Sequence, residues 1–479
     1  MNATLLTCDV AVVGAGPAGL AAAAAARESG ADVVCLDLFA APGGQYHMQP
    51  AVAGSPFATA PQVSAGRAAA QRCRDLGVRL VSGAEIFWAE PGFTLFARQG
   101  GDALAVRAGA VVAATGAMER PVPFAGWTLP GVIGAGAAQR LIKANGTAPG
   151  RNVVLAGSGP FLFAVAETFA KAGLNLRAFI EMRRPGPALA SPFLRHPARI
   201  PEALRLLVRL GRVARTRLTG HVVTAALGEG RVEAVRVAPL DADGSPRHDR
   251  AFVIDGVDCL CVGYGFRPVT DLTSLLHATH AFDDARGGWH CAVAADTQAT
   301  DVPGLFAAGE TTGIGGAIPA RLSGRLAGFH AAAATGRPLP GGATLASLRR
   351  ELARARDFAA GLAALYPFPG TLAAGMPATE TVCRCEDVTR ADIEAAVRDG
   401  AADLFSVKMW TRAGMGPCQG RICGSALGDL LAASTGQTPD KTGFNRPHMP
   451  LRPVPLAIAD AALALADTPF PSSPVADPS

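Results

Sequence analysis

Residues 9–37 read DVAVVGAGPAGLAAAAAARESGADVVCLD and decide the fold of the chain. The apolar run 10–13 predicts a β-strand, the alanine-rich run that follows predicts a helix ending at Gly30, and the apolar run 33–36 predicts a second strand. A glycine-rich turn, G-A-G-P-A-G at residues 14–19, joins the first strand to the helix. Strand, G-x-G-x-x-G turn, helix and strand in this order predict a dinucleotide-binding βαβ unit.

Each glycine of this turn has a separate expected role. Gly14 permits the tight turn, Gly16 lets a pyrophosphate approach the backbone, and Gly19 lets the helix pack closely on the strand. The helix N-terminus faces the anion. Asp37 closes the second strand at the distance expected for a carboxylate that binds a ribose. The expected cofactor contacts in this unit are Gly14, Gly16, Pro17, Ala18, Gly19 and Asp37.

The composition is that of a globular protein. A chain of 479 residues is long enough for about two to four domains. The apolar stretch 10–26 is interrupted by glycine and proline and flanked by Asp9 and Arg27, so we expect neither a transmembrane segment nor a signal peptide. The net charge of +5 comes without a basic stripe interleaved with aromatic residues. Nucleic acid is therefore not an expected partner.

The ten cysteines fall into two groups. Six are scattered, several of them in apolar strands, and are most simply reduced core residues. The other four are close together near the C-terminal end: Cys383, Cys385, Cys418 and Cys423. This pattern suits a reducing compartment with a metal or cluster site better than a disulfide framework. We expect a cytoplasmic protein, and the sequence leaves open a peripheral position on the inner face of the cytoplasmic membrane.

Two segments carry small residues where a flavin nucleotide would pass. In A-P-G-G-Q the paired Gly43 and Gly44 let the backbone come close to a ligand. This segment, with Gln45, resembles the loop that runs along FAD in flavoproteins with two dinucleotide-binding domains. A later apolar strand ends in Ala114-Thr115-Gly116, whose lack of bulk allows close contact with FAD. The same resemblance places the backbone near Ile86 against the adenine.

The segment D-V-P-G-L-F-A-A-G-E is the most specific flavin signal after the N-terminal unit. A strand delivers Glu310 directly after Gly309, where the carboxylate can accept hydrogen bonds from ribityl hydroxyls. The helix that follows can stabilise negative charge on the flavin through its N-terminus, at Gly316, Ala317 and Ile318. Related flavoproteins generally have aspartate at this point, so glutamate keeps the charge on a longer arm.

A second βα unit begins at V-V-L-A-G-S-G-P and predicts a second nucleotide-binding-type domain inserted into the first. Its duplication is imperfect because Leu162 stands where the third glycine would be. Binding of NAD(P) or another nucleotide there remains open. The flavin region contains no C-x-x-C or C-x4-C pair, so disulfide reductase chemistry is disfavoured.

The clustered cysteines form two close pairs in tight turns, C-R-C-E-D-V-T and G-M-G-P-C-Q-G-R-I-C-G. Four thiolates in this arrangement can enclose a small iron–sulfur cluster. Zinc is the alternative, but it usually takes cysteines spaced C-x2-4-C, and C-x-C fits it less well.

The whole chain resembles the large flavoprotein subunit of bacterial opine oxidases, hydrogen cyanide synthase and D-hydroxyproline dehydrogenases, with relatives in sarcosine oxidase. The motifs that carry the resemblance are those above together with E-R-P-x-P-F-x-G-W-x-L-P-G-V, G-Y-G-F-x-P and G-E-x-T-G-I-G-G. The cysteine module resembles the bacterioferritin-associated ferredoxin domain, which holds a 2Fe–2S cluster through C-x-C and C-x-x-C. The second pair is C-x4-C here, which makes ligation by Cys418 and Cys423 less secure than by Cys383 and Cys385.

The resemblance implies an α/β fold with a Rossmann-like FAD domain, an inserted Rossmann-like domain and a small α-rich 2Fe–2S domain. The implied ranges are 1–150 and 256–335 for FAD, 151–255 for the insert, 336–377 for a helical connector and linker, 378–445 for the cluster domain and 446–479 for a tail. It also implies a smaller FAD-dependent subunit that oxidises the substrate, with an FMN at the interface and a small third subunit as further expectations. A quinone or another carrier would accept the electrons.

Three functional hypotheses follow. The first is the electron-transfer subunit of a heteromeric amine or amino-acid dehydrogenase. The second is a self-contained NAD(P)H-dependent reductase that feeds electrons out through the cluster, and Leu162 disfavours it. The third treats the cysteine module as a zinc-held interaction domain on an inactive flavoprotein scaffold.

Overall fold

A computed structural model describes residues 2–184, 186, 191–197, 200–201, 216–368, 372 and 375–465. Parts of the linker predicted over 367–377 and of the tail predicted over 446–479 lie outside the described residues.

The strands are β1 (Ala3–Val13), β2 (Val33–Asp37), β3 (Arg79–Ser82), β4 (Ala84–Glu90), β5 (Thr94–Gln99), β6 (Asp102–Ala113), β7 (Ala117–Glu119), β8 (Val132–Gly134), β9 (Asn152–Gly157), β10 (Asn175–Glu181), β11 (Thr216–Thr219), β12 (His221–Leu227), β13 (Ala234–Pro239), β14 (Phe252–Asp255), β15 (Cys259–Gly263), β16 (Phe266–Pro268), β17 (His280–Asp283), β18 (Gly288–Cys291), β19 (Leu305–Ala307), β20 (Thr381–Cys383) and β21 (Val388–Thr389). The helices are α1 (Pro17–Glu28), α2 (Pro61–Asp75), α3 (Ala135–Lys143), α4 (Phe161–Lys171), α5 (Ser191–Arg195), α6 (Asp271–Leu275), α7 (Ala317–Ala334), α8 (Gly342–Leu365), α9 (Arg390–Arg398), α10 (Leu404–Thr411), α11 (Gly424–Thr435) and α12 (Leu456–Ala464).

The first sheet has seven strands, in the order β3-β2-β1-β6-β5-β4, with β19 paired to the second half of β6. Strands β3, β2, β1, β6 and β19 run parallel, whereas β4, β5 and β6 form an antiparallel meander. The carboxyl ends of β1, β6 and β19 therefore meet at one edge of the sheet. Ligands of parallel α/β sheets bind at this edge.

Helices α1 and α7 pack against each other through almost bare backbone. A Cβ at Gly324 would lie 2.1 Å from the carbonyl oxygen of Ala18, and one at Gly328 would lie 2.1 Å from that of Ala22. The alanines of α1 are buried between α7 and the sheet. The apolar N-terminal stretch is therefore core material. Among the helices that the structure describes, none is long and apolar enough to cross a membrane.

The second sheet consists of five parallel strands in the order β11-β10-β9-β15-β8, with a separate antiparallel sheet of β12, β13 and β14 beside it. Strands β8 and β15 belong to this second sheet, although the sequence placed residues 132–134 and 259–263 in the FAD domain. Both strands are thus grouped by their hydrogen bonds with the sheet of β9 rather than with that of β1. The chain crosses between domains at β7 and β16, which pair antiparallel with each other.

The cysteine module combines the short β20–β21 hairpin with helices α9, α10 and α11 around its own apolar core. Helix α8 connects it to the first domain and packs on α7 through leucines such as Leu348 and Leu352. After the module, α12 returns to the first sheet, where Ile458 and Ala462 pack on Phe87 and Phe96 of the meander.

Candidate redox site

The glycines of the turn at the end of β1 differ in their surroundings: two are tightly packed and one has open space beside it. Gly14 has φ +101°, and a Cβ there would lie 2.3 Å from the carbonyl oxygen of Ala114. A Cβ at Gly19 would lie 1.6 Å from the carbonyl oxygen of Gly14. Gly16 differs, since its nearest neighbour would be Gly44 Cα at 3.9 Å. Gly14 and Gly19 are thus required by packing, whereas Gly16 leaves room for a ligand beside the backbone.

The loop with the paired glycines lies directly on this turn. The N–H of Gly43 donates to the carbonyl of Ala15 at 2.8 Å, and a Cβ at Gly44 would lie 2.9 Å from Gly16 Cα. Gln45 is exposed beside them. Ile86, on β4, packs against the apolar core that contains Val13 and Leu36.

Thr311 links the strand end at 114–116 to the segment around Glu310. Its hydroxyl lies 3.1 Å from the hydroxyl of Thr115 and accepts the N–H of Gly116 at 3.2 Å. A Cβ at Gly309 would lie 2.7 Å from the Cβ of Ala18, so this segment also touches α1. Sequence reasoning missed Thr311, and its only signal was its position next to Glu310.

The two predicted carboxylates both hold backbone. Asp37 is 6% exposed and accepts N–H groups from Ala15 and Phe39, and burial raises its pKa against these hydrogen bonds. Glu310 accepts the N–H of Gly316 at 3.0 Å, and burial raises its pKa as well. The longer side chain of glutamate therefore accepts a hydrogen bond at the N-terminus of the helix that follows it, α7. Each carboxylate keeps further lone pairs with which to accept a hydroxyl.

Gly316, Ala317 and Ile318 form the first turn of α7. Gly316 is exposed with φ +90°, and Ile318 is 37% exposed. The backbone at the N-terminus of α7 is thus accessible to a ligand.

The second glycine turn repeats this design with one change. Leu162 is 1% exposed, and the room for it is made on the facing strand, where a Cβ at Gly263 would lie 3.1 Å from its methyl group. Gly159 has φ +107° and no neighbour within 4 Å of a Cβ. Glu181, at the end of β10, accepts N–H groups from Gly159 at 3.1 Å and Arg183 at 3.0 Å, as Asp37 does in the first unit.

The four cysteines of the module form two pairs, and the two thiols of each pair are close to each other. The Cys423 thiol hydrogen-bonds to Cys383, and Cys385 hydrogen-bonds to Cys418. The hydrogen bond from Cys423 and the N–H groups of Gly414, Glu386 and Cys385 lower the pKa of Cys383 to about 6. Cys385 is exposed, Cys418 is half-buried and the other two are buried. In the part of the chain that the structure describes, no three His, Cys, Asp or Glu side chains gather around one point as a single metal ion would require.

A buried ion pair clamps the module to the first two domains. One guanidinium nitrogen of Arg120 donates to both carboxylate oxygens of Asp429, at 2.7 and 2.8 Å, and each side chain is 8% exposed. The indole N–H of Trp127 donates to the carbonyl of Thr381 at 2.7 Å. The module is therefore held on the crossover segment that begins at β7.

A second ion pair connects the module to the segment that follows β16. Arg421 contacts Asp271 at 2.7 Å and donates to the carbonyl of Cys418 at 3.2 Å. Asp271 stands two residues after Val269, whose carbonyl accepts the hydroxyl of Thr115 at 2.7 Å. A short chain of contacts thus joins the A-T-G strand end to a cysteine loop.

Glu181 makes the stability of the second domain depend on pH. Burial raises its pKa from 4.5 to about 7, so the folded protein holds this proton more tightly than the unfolded chain. Its protonation stabilises the fold at pH values below 4.5, and this contribution is lost as the pH rises to about 7. The loss is about 3 kcal/mol in the free energy of unfolding.

Glu181→Gln tests this dependence. We expect the melting temperature of the variant to rise relative to that of wild type as the pH increases from 5 to 7.5, measured by thermal unfolding across that range. A constant difference at every pH would contradict this.

Comparisons with known proteins fit the fold and the module. Residues 8–336 match the pyridine nucleotide-disulphide oxidoreductase family, and residues 379–463 match the sarcosine oxidase A3 domain. The chain is 34% identical over 481 residues to the opine oxidase A subunit of Rhizobium meliloti (strain 1021), covering 94% of this chain and 98% of that one. It is 36% identical over 356 residues to the hydrogen cyanide synthase protein HcnB of Pseudomonas aeruginosa, covering 72% and 74%.

One solved structure shares the architecture. L-proline dehydrogenase from P. horikoshii superposes with a TM-score of 0.71 over 96% of this chain and 80% of that one, at 18% identity. The family and the named relatives indicate a flavin cofactor and an oxidoreductase. The chain belongs to the pyridine nucleotide-disulphide oxidoreductase family and is related along nearly its whole length to the A subunits of opine oxidases.

Proposed function

We propose that this chain is the electron-transfer subunit of a heteromeric dehydrogenase that oxidises an amine-type substrate on a partner subunit. The substrate would be an opine, D-hydroxyproline, glycine or a similar amino acid. The observation that carries the proposal is the clamped position of the cysteine module, whose Arg421 reaches both the Cys418 loop and Asp271 beside the flavin loops. Redox centres that exchange electrons need this fixed proximity.

The cysteine pairs fit a two-iron cluster better than a single metal ion. A 2Fe–2S cluster takes four thiolates, two on each iron. The pairing of Cys383 with Cys423 and of Cys385 with Cys418 suits that demand. The backbone N–H groups around Cys383 would stabilise a charged thiolate. A bound FAD and a 2Fe–2S cluster would supply two-electron and one-electron transfer.

The polar side chains around the expected flavin site, Thr115, Thr311 and Glu310, support a role in carrying electrons. The hydroxyls of Thr115 and Thr311 bond to each other and to neighbouring backbone, and Glu310 caps α7. These groups hold loops in place, as a carrier of electrons requires, and proton transfer to an amine would be left to the partner. The partner is expected to be a smaller FAD-dependent subunit. An FMN at the interface, a quinone or other acceptor and a small third subunit are further parts of the proposal.

Helix α10 offers the partner a surface beside the cysteines. Phe405, Met409 and Trp410 are 70%, 57% and 53% exposed. Arg412, which follows the helix, contacts Glu386 at 2.8 Å, next to the exposed Cys385. Aromatic and methionine side chains are enriched in protein interfaces. The curated relatives are named as subunits, which supports another polypeptide of the same enzyme as the occupant.

The proposal is tested by assaying the purified chain by itself and together with the smaller flavoprotein subunit. We expect neither protein alone to oxidise the substrate at the rate of the complex. Electrons should reach a quinone only when both proteins are present. Full turnover by this chain alone would overturn the proposal.

A self-contained NAD(P)H-dependent reductase is the second candidate, because the open space at Gly159 leaves room for a phosphate. It predicts bleaching of the flavin by NADH or NADPH alone. Anaerobic mixing with each nucleotide, followed by absorbance, separates the two functions.

Gly16→Val tests the nucleotide site. The structure accommodates the added side chain, since nothing but Gly44 lies near, but it would fill the space expected for the pyrophosphate. We expect a folded protein that loses nearly all its flavin, measured as bound flavin per chain. Gly101→Val is the matched control, at a turn glycine with open space around it, and should keep its flavin. Full flavin retention in Gly16→Val would reject the assignment.

Cys385→Ala tests the cluster. We expect iron to fall from about two atoms per chain to nearly none, with flavin retained, measured by metal analysis and visible spectra. Cys8→Ala, a half-buried cysteine of β1, should keep its iron. Zinc without iron in the wild-type protein would instead favour a zinc-held interaction domain.

Phe405→Ser combined with Trp410→Ser tests the partner surface. Removal of two large anchors should weaken binding of the smaller subunit at least about tenfold while the cluster spectrum stays unchanged. Calorimetry or a biosensor measurement of that binding checks this. Leu456→Ser, which alters another exposed apolar side chain on α12, is the control. Equal affinity of both variants would move the interface elsewhere.

A further inference from the structure

A cavity lies behind the loop 309–315, between α7, α8 and the β17–β18 hairpin. Its volume is about 260 Å³. Arg286 and Arg356 line it together with Thr312, Gly315 and Ser323, and Asp283 lines it from an exposed position. The cavity therefore reaches the surface and is small enough for a metabolite rather than a dinucleotide.

This cavity borders part of the expected flavin site. Its lining contains no residue of the turn 14–19, of Asp37, of the loop 43–45 or of the strand end 114–116. Gly309 belongs to both sets, and residues 312–315 of the lining follow Glu310 in the same segment. The cavity is thus lined by the loop that carries Glu310.

Two guanidinium groups line the cavity, and Asp283 is a carboxylate near Arg286 that forms no ion pair with it. Arg286 donates to the carbonyl of Thr312, and Arg356 donates to the Oε1 of Gln298 at 2.9 Å. Among the described residues, neither arginine lies within ion-pair distance of a carboxylate. Asp283 uses one oxygen to accept the N–H of Ala285 at 2.9 Å. Burial, and then the positive charge of Arg286, lower the pKa of Arg356 to about 10.

The hydroxyls of the cavity are already engaged. Thr312 donates to the carbonyl of Gly309 at 2.8 Å, and Ser323 donates to the carbonyl of Ala320 at 3.0 Å. An arginine carries five N–H donors, so most of those on Arg286 and Arg356 are available to a ligand. The cavity is rich in donors and positive charge, and such a site suits an oxyanion that accepts paired hydrogen bonds.

We propose that this cavity binds a small ligand carrying an oxyanion group, a carboxylate or a phosphate, through Arg286 and Arg356. The inference goes beyond the electron-transfer role, because it needs neither the cluster nor a partner. A ligand there would contact the loop that carries Glu310.

The test is calorimetric titration of the full-length flavin-loaded protein with inorganic phosphate and, separately, with succinate. We expect at least one of them to bind. Arg356→Gln should weaken it roughly tenfold or more, the usual effect of a lost charged hydrogen bond. Arg354→Gln, an exposed arginine two residues away on α8, should leave the affinity unchanged. Phosphate alone would indicate a phosphorylated ligand, and succinate alone a carboxylate.

Thermal stability separates a binding role from a structural one. Arg356→Gln removes one of two neighbouring positive charges and also the donor to the buried Oε1 of Gln298, so we expect its ligand-free melting temperature to stay close to that of wild type while its affinity for the anion falls. If this variant does not fold, Arg286→Gln and Arg356→Lys are titrated in its place, and the lysine variant should bind more weakly than wild type because it lacks the planar fork. Absence of binding by both anions, or affinities that these substitutions do not change, would overturn the proposal.

Discussion

Direct backbone contact between α1 and α7 is the constraint on which the proposed flavin site depends. It exists because Gly324 and Gly328 have no side chains to separate the helices, and because α1 offers mainly alanine. The two helices begin at the carboxyl ends of β1 and just after β19, on either side of β6. Gly324 meets Ala18 and Gly328 meets Ala22, so the two helices run in the same direction and both positive N-termini lie toward the carboxyl ends of the parallel strands. One methyl group at Gly324 would collide with the α1 backbone and displace both ends.

The ion pair between Arg120 and Asp429 is the second constraint, and it fixes position rather than adding much stability. Burial of two charges costs about as much as their attraction returns, whereas removal of one partner costs about 3–5 kcal/mol. The Nε of Arg120 also lacks a hydrogen-bond partner within the part of the chain described, so the arrangement is not optimised for stability. Its consequence is geometric: the cysteine loops cannot turn away from the crossover strands without exposing an unpaired charge. For electron transfer, a fixed separation matters more than a few kcal/mol of folding energy.

Local rules made much of this structure predictable from the sequence. The roles of Gly14 and Gly19 follow from turn and packing geometry, and the strands around them are short apolar runs with clear ends. The place of β8 was not predictable, because it lies in a Pro/Gly-rich segment that carries no strand pattern of its own, and only its pairing with β15 shows to which sheet it belongs. The cavity arginines were equally hidden, since Arg286 and Arg356 stand far apart in the chain and meet only through folding.

The second nucleotide turn shows how a missing glycine should be interpreted. Leu162 suggested a degenerate unit, because a side chain at the third glycine would separate helix from strand. The structure accommodates the leucine side chain of α4 because the residue that faces it, Gly263 at the end of β15, has no side chain. Approach of a phosphate depends on the second glycine, and Gly159 remains open. Leu162 therefore says little about nucleotide binding, and Glu181 says more. With its pKa near 7, this carboxyl is partly protonated at neutral pH and can donate to a ligand as well as accept from it, although its two oxygens, like those of Asp37, each accept a backbone N–H group.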